Sequence, residues 1–211
     1  MPDRLRSGQG RGAHRPGAPQ RPPRGVFVTA SAADGRTALF RRTAGRFPTG
    51  VTVVTTVSDG EPYGMTANAF MTVSLDPLLV AVGIGLGARG HDRVLRSGRF
   101  AVTVLSDRQT GTARRFADPA RPVGAAAFAA DDWTAGPATG CPVLPDGVGW
   151  FDCSVRDAHP AGDHTLVIGR VEDFGPLTGE RPLVFVDGSF TAPDTSFSPS
   201  GPPGARIGAR T

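Results

Sequence analysis

Short runs of β-branched and apolar residues, each ended by a turn signal, recur from Val51 to Phe190, and this spacing narrows the possible folds more than any other feature. Val51–Val57 reads as a strand whose apolar positions alternate only partly. Ser58-Asp59-Gly60 follows it. Asp-Gly accepts the positive φ of a tight hairpin, so PYGMTANAF is the returning strand. LLVAVGIGL (Leu78–Leu86) reads as a buried strand that turns glycine-rich at its end. RFAVTVLS, GWFDCSVRDAHP, DHTLVIGRVEDFG and PLVFVDGSF supply further strands, the two long ones meeting around Ala161-Gly162. One helical pattern precedes this series and two interrupt it. RTALFRRTAGRF spaces Leu39, Phe40, Ala44 and Phe47 on one face, HDRVLRSG closes on Gly98, and DRQTGTARRFA follows the RFAVTVLS strand. Strand and helix do not alternate throughout, and no GxGxxG opens a helix after a strand, which argues against a doubly wound sheet. The expected fold is mainly β with inserted helices, an antiparallel barrel with helices packed on it.

The ends of the chain have a different composition. Residues 1–25 are rich in Pro, Gly and Arg, and residues 194–211 in Pro, Gly and Ser. Neither can bury enough apolar surface to offset its ordering entropy, so both are expected to be disordered tails. The natural start codon is expected at or downstream of Met1. Residues 118–148 are rich in Pro, Gly and Ala, with Trp133 as the expected anchor. The high pI, near 10.3, invites a nucleic-acid reading, but the charge sits in the tails. Residues 1–24 carry six arginines against Asp3, and residues 195–211 carry Arg206 and Arg210. Removing those seven net positive charges from the chain total of +4 leaves −3 for residues 25–194. An acidic body with basic ends predicts non-specific attraction to polyanions rather than specific nucleic-acid binding.

Several chemistries are excluded by residue type. All 23 basic residues are arginine, so no lysine can form a Schiff base. Cys141 and Cys153 are too few for a disulfide framework, and Cys153 reads as a buried small hydrophobe. His14, His91, His159 and His164 form no HExxH pattern, and no CxxC is present, so no metal site is expected. No apolar run approaches the ~20 residues of a membrane span. The Arg-rich start lacks the apolar segment of a secretory signal. A cytoplasmic location is the expectation.

Four stretches, RFPTGVTVVTT, GMTANAFMTVSLDP, SGRFAVTVLS and GDHTLVIGRVEDF, occur in an order and spacing that resemble the flavin reductase-like family. These are the short-chain NAD(P)H:flavin reductases that serve two-component flavin-dependent monooxygenases. The resemblance runs roughly from Leu39 to Phe190, within a domain expected over residues 35–192. It implies an FMN-binding split β-barrel of Greek-key antiparallel type and a homodimer with flavin near the subunit interface. It further implies hydride transfer from NADH or NADPH to FMN or FAD, and delivery of reduced flavin to a partner monooxygenase.

A flavin without a Rossmann fingerprint needs a flat apolar slot, backbone hydrogen bonds along its polar ring edge, and donors or positive charge for its phosphate. By resemblance, Thr66, Asn68 and Ser74 supply polar contacts to the ribityl chain and phosphate, with Met65 and Ala67 as apolar neighbours. Ala69 stands where the family often has serine, so a hydroxyl contact is lost there. Pro48 fixes the entry to the first strand, Thr49 offers an amide or hydroxyl, and Gly50 keeps the backbone bare for a planar ring. Arg89 and His91, at the start of a helix, are phosphate candidates, with Arg89 preferred because it stays charged and forks onto oxygens. His164 in the GDH motif is implied to orient the nicotinamide or meet reduced flavin, with Asp163 steadying the turn or His164. Phe116 is assigned to cover the flavin or to pack in the core, and Phe190 to the ring or the dimer interface, with packing the simpler role. Two rival readings remain: a flavin-binding electron carrier of the same fold, against which the GDH motif argues, and a basic-tailed nucleic-acid binder.

Overall fold

The computed structural model describes residues 30–193. Both segments expected to be disordered, 1–25 and 194–211, lie outside the described residues. The chain divides into two units, Met1–Leu39 and Phe40–Thr211. Helix α1 (Ala30–Gly45) starts in the first and ends in the second. The second unit continues with β1 (Thr49–Gly50), β2 (Thr52–Ser58), β3 (Glu61–Ala67), β4 (Phe70–Leu75) and β5 (Leu78–Gly85). Helix α2 (His91–Ser97), β6 (Arg99–Val104) and α3 (Thr110–Ala117) follow. The short strands β7 (Thr134–Ala135) and β8 (Pro142–Val143) lead to the long β9 (Gly149–Ala161) and β10 (His164–Pro176). The unit ends with β11 (Val184–Val186) and β12 (Ser189–Thr191).

Seven strands form one antiparallel sheet in the order β3-β2-β6-β9-β10-β5-β4, and β1-β11-β12 form a second, three-stranded sheet. The expected mainly-β architecture with inserted helices is what the chain adopts. The β2–β3 hairpin turns at Asp59 (φ 55) and Gly60 (φ 78). Both sit in the left-handed region that a two-residue turn requires. Its register, Ser58↔Glu61 to Thr52↔Ala67, is set by this turn. Helix α2 stops at Gly98, whose left-handed φ of 66 lets its amide reach the Val94 carbonyl.

The partial alternation of Val51–Val57 has a structural cause. Val54 packs with Val82, Phe100, Val102 and Val167 on one side of the sheet. Val51 and Val53 pack on the other side with Leu105, Phe116, Phe128 and Leu144. Neighbouring side chains on a strand point to opposite faces, and here both faces are covered, so both must be apolar. Cys141 and Cys153 are free thiols with no exposure, and desolvation raises the pKa of each.

Two expectations need correction. Trp133 is 41% exposed, so it does not anchor residues 118–148. Phe128, Cys141 and Leu144, all 2% exposed or less, do so, and Trp133 only touches Phe128 at 6.1 Å. The segment is further pinned by Asp152 of β9, which accepts from the amides of Ala138 (2.9 Å) and Thr139 (3.0 Å) and from the Thr139 hydroxyl. Leu39, Phe40, Ala44 and Phe47 do not share one helix face either: α1 ends at Gly45, so Phe47 lies beyond it, and Phe40 and Phe47 are 71% and 73% exposed. Among the described residues no helix is long and apolar enough to cross a membrane.

Candidate active site

A cavity of about 360 Å³ opens where the end of β3, the end of β5, the start of β10 and the end of α3 converge. Its volume falls within the range of about 300–1,000 Å³ typical of small-molecule sites. Met65, Thr66, Ala67, Asn68 and Ala69 form one wall. Thr66 is anchored by its hydroxyl, which donates to the Ala113 carbonyl of α3 at 2.7 Å. Ala69 is held by the Gly83 amide, which donates to its carbonyl at 2.8 Å.

The facing wall is built from small residues of β5 and the turn after it. Gly83, Gly85 and Gly87 line the cavity without side chains, so flat backbone faces it. His164, the first residue of β10, pairs with Gly85 across the sheet, and its ring lies over that glycine. A β-carbon at Gly85 would stand 3.6 Å from His164 Nε2. The ring is half-exposed, and its Nδ1 lies 2.8 Å from Asp163 Oδ1. The hydrogen bond to His164, and then its charge, hold the exposed Asp163 carboxyl below its ordinary range. A carboxyl depressed in this way favours the folded turn above its unfolded pKa. That contribution is lost as pH falls through the lowered folded value.

The remaining wall is basic. Arg89 follows β5, and Arg121 lies beyond α3. Arg89 Nη2 donates to the Arg121 carbonyl at 3.1 Å, which places both arginines on one side. Phe116 also borders the cavity, but at 1% exposure it is chiefly a core residue, packed against Phe128 with ring centroids 5.0 Å apart. Phe116 lies so close to β3 that a β-carbon at Gly64 would stand 2.6 Å from its Cε1.

Two smaller cavities adjoin, and Asn68 lines all three. One, of about 260 Å³, lies between the end of α1 and Thr49, and Phe40, Phe47 and Phe185 make it largely apolar. The Thr49 hydroxyl oxygen there is buried without a hydrogen-bond partner. The other, of about 170 Å³, is lined by Val51, Thr66 and Phe190, and Phe190 packs on Phe185 at 5.4 Å.

The fold therefore brings Met65, Thr66, Ala67, Asn68, Ala69, Arg89, Phe116 and His164 to one cavity, with Thr49 and Phe190 in the adjoining ones. Four expected residues lie elsewhere. Pro48 and Gly50 are exposed and line none of these three cavities, and Gly50 pairs with Val184 of β11. The Ser74 hydroxyl accepts from the Asp76 amide at 3.2 Å in the β4–β5 turn. His91 is committed at both ring nitrogens, to Asp92 and to Thr165 at 2.8 Å each, and ties α2 to β10. Arg121 and Tyr63, which line the cavity, were not anticipated. Arg121 sits in a Pro- and Ala-rich stretch without periodicity, and Tyr63 reads as an ordinary strand aromatic. The contact between them joins residues 58 positions apart.

This geometry has close counterparts among known proteins. Residues 44–193 match the family model described as flavin reductase like domain. A probable flavin reductase from Rhizobium meliloti is 42% identical over 168 residues, which are 79% of this chain but 51% of that protein, so the chain spans about half of its length. An NADH-dependent FAD reductase from Streptomyces globisporus is 42% identical over 74% of this chain and 86% of its own. The reductase subunit of a flavin-dependent monooxygenase from Rhodococcus jostii is 39% identical over 78% of this chain and 80% of its own. Among solved structures, the flavin reductase component of a bacterial two-component tryptophan halogenase superposes with a TM-score of 0.71 at 36% identity, covering 74% of this chain and 97% of that one. The Streptomyces globisporus NADH:FAD oxidoreductase, solved with NAD and FAD fragments, gives 0.70 at 38% identity over 77% of this chain and 96% of its own. With the family model covering most of the chain and the split-barrel neighbours superposing on its sheet, the chain belongs to the flavin reductase-like family.

Proposed function

We propose that this protein is an NAD(P)H-dependent flavin reductase that supplies reduced FMN or FAD to a partner monooxygenase. The observation that carries the reading is a single cavity with three kinds of wall: bare glycine backbone, the Met65–Ala69 segment, and two arginines. These residues fit a flavin. The glycines admit a planar ring, and Asn68 stands exposed where the three cavities meet. The buried Thr49 hydroxyl lacks a partner that a ligand's polar edge would provide. When bound, the flavin supplies the redox chemistry, and the chain contributes alignment, charge and exclusion of water. In this reading His164 orients the nicotinamide, and its support is the contact with Asp163 and the ring's position over Gly85. Redox partners and donors of this kind are named for similar proteins, among them the monooxygenase reductase subunit and the NADH-dependent reductases.

The assay is NADH and NADPH oxidation at 340 nm with and without added FMN or FAD. A flavin-dependent rate with at least one donor is the expected result, and no rate with either donor overturns the reading. His164→Ala is expected to lower kcat by roughly tenfold or more, the scale of a misplaced reactant, while flavin binding stays near its original strength.

The same reading includes a cytoplasmic homodimer. The support for the dimer is the exposed apolar side chains of Phe40 on α1, Phe47 just after it, and Met71, Val73 and Leu75 on β4, a surface that a second copy could cover. Sedimentation at twice the chain mass is expected, and a monomer at micromolar concentration would remove this part of the proposal.

A further inference from the structure

Among the described residues the His164 ring has one hydrogen-bond partner, Asp163, whose side chain is 95% exposed. A partner in the same solvent-facing turn moves with the ring and cannot fix it in space. What holds His164 over Gly85 must therefore act through its backbone. His164 is the first residue of β10, and its main chain pairs with Gly85 of β5 and Ala161 of β9. Those ladders set the spacing within the sheet, but the end of a ladder opens most easily, and bending out of the sheet is resisted only from its faces.

The next residue supplies that resistance. Thr165 points to the opposite face of the sheet and is 6% exposed. Its hydroxyl lies 2.8 Å from Nε2 of His91, the first residue of α2, whose side chain is 11% exposed. His91 Nδ1 lies 2.8 Å from Asp92 Oδ1. A carboxylate only accepts, so Nδ1 carries a proton, and in the neutral ring Nε2 accepts from the Thr165 hydroxyl. The cavity wall Gly87–Arg89 lies between this contact and a second one, in which the Leu86 amide donates to the Asp163 carbonyl at 2.9 Å. That wall is thus joined to the GDH turn on both sides. We propose that Asp92, His91 and Thr165 form a positioning chain that fixes His164 in the cavity from the far side of the sheet. His91 acts through Thr165 and touches neither flavin nor nicotinamide. The inference rests on the reading in which His164 orients the nicotinamide.

Three quantities are measured on the full chain: turnover with whichever nicotinamide donor it uses, FMN affinity by flavin fluorescence, and amide hydrogen exchange without flavin. The variants are T165V, H91L, H91Q, H164A and the double variant H164A/T165V. T165V removes the hydroxyl at similar size. Its kcat is expected to fall about 3- to 10-fold, the scale of a slightly misplaced reacting group, while FMN binding changes by less than about threefold. H91L should match it, and H91Q, whose amide can still reach the Thr165 hydroxyl, should recover most of the loss. Exchange at Leu86 and across 162–166 is expected to quicken by about threefold or more in T165V and H91L. In the H164A background, T165V should cost less than about twofold more, because the chain ends at His164. If T165V does not fold, H91L and H91Q, alone and with H164A, carry the same comparison. An equal loss in both backgrounds, or unchanged exchange, overturns the proposal. Original kcat in T165V and H91L beside a lowered one in H164A also overturns it and leaves the His164 reading standing. Original kcat in H164A removes that reading, and the positioning role with it.

Discussion

Asp152→Ala is expected to lower stability by about 3–5 kcal/mol, the range for breaking a buried polar network, and to drop Tm by roughly 10 °C or more in a chain of this size. Asp152 has no exposure, and its two carboxylate oxygens serve three donors: the Ala138 and Thr139 amides and the Thr139 hydroxyl. Alanine removes every acceptor at once and leaves those donors without partners. Gly136 packs directly on the carboxylate, where a β-carbon would stand 2.6 Å from Oδ2, so truncation also opens a void. The loss is concentrated in residues 136–141, which pair through the Gly136 amide to the Cys141 carbonyl at 2.8 Å. Asp152→Asn keeps one acceptor oxygen and turns an NH₂ toward a donor, so about half the loss is expected. Thermal unfolding with amide hydrogen exchange across this segment measures both. A Tm within 2 °C of the original for Asp152→Ala would show that the network contributes little, about the shift expected from less than 1 kcal/mol.

Gly64→Ala is expected to cost about 2–3 kcal/mol, near the upper end for overpacking, and to weaken flavin binding in the same step. The added methyl group would stand 2.6 Å from Phe116 Cε1 and 3.1 Å from Phe128 Cζ. Neither ring can yield cheaply, because Phe116 is 1% and Phe128 2% exposed and they pack on each other. The direction left to Phe116 is toward the cavity it borders. The Gly64 carbonyl also accepts twice from Arg121, so a shift of β3 loosens the buried cation as well. Pairing Gly64→Ala with Phe116→Leu tests this account. The double variant should recover stability relative to the sum of the single ones, as residues in contact do. Simple additivity in chemical denaturation, or unchanged FMN binding in Gly64→Ala alone, would show that Phe116 does not transmit the clash.

The sheet was legible from local chemistry because its determinants are local. Asp59-Gly60 set the first hairpin, Gly98 ended α2, and the meeting of the two long strands near Gly162 was visible as a turn between apolar runs. The motif around Met65–Ala69 and the GDH turn were legible for the same reason, each being a contiguous segment. What the residues alone determined was thus the order of strands and turns, the family, and a site wall made of neighbours in sequence. Only the tertiary structure decided which side chains share a cavity. It turned Ser74 to cap the β4–β5 turn and spent both nitrogens of His91 on Asp92 and Thr165. It also carried Arg121 onto a tyrosine and a carbonyl more than fifty residues away. Those contacts depend on strand register and on how α3 lies against β3, and neither leaves a periodic signal in a stretch such as ADPARPV.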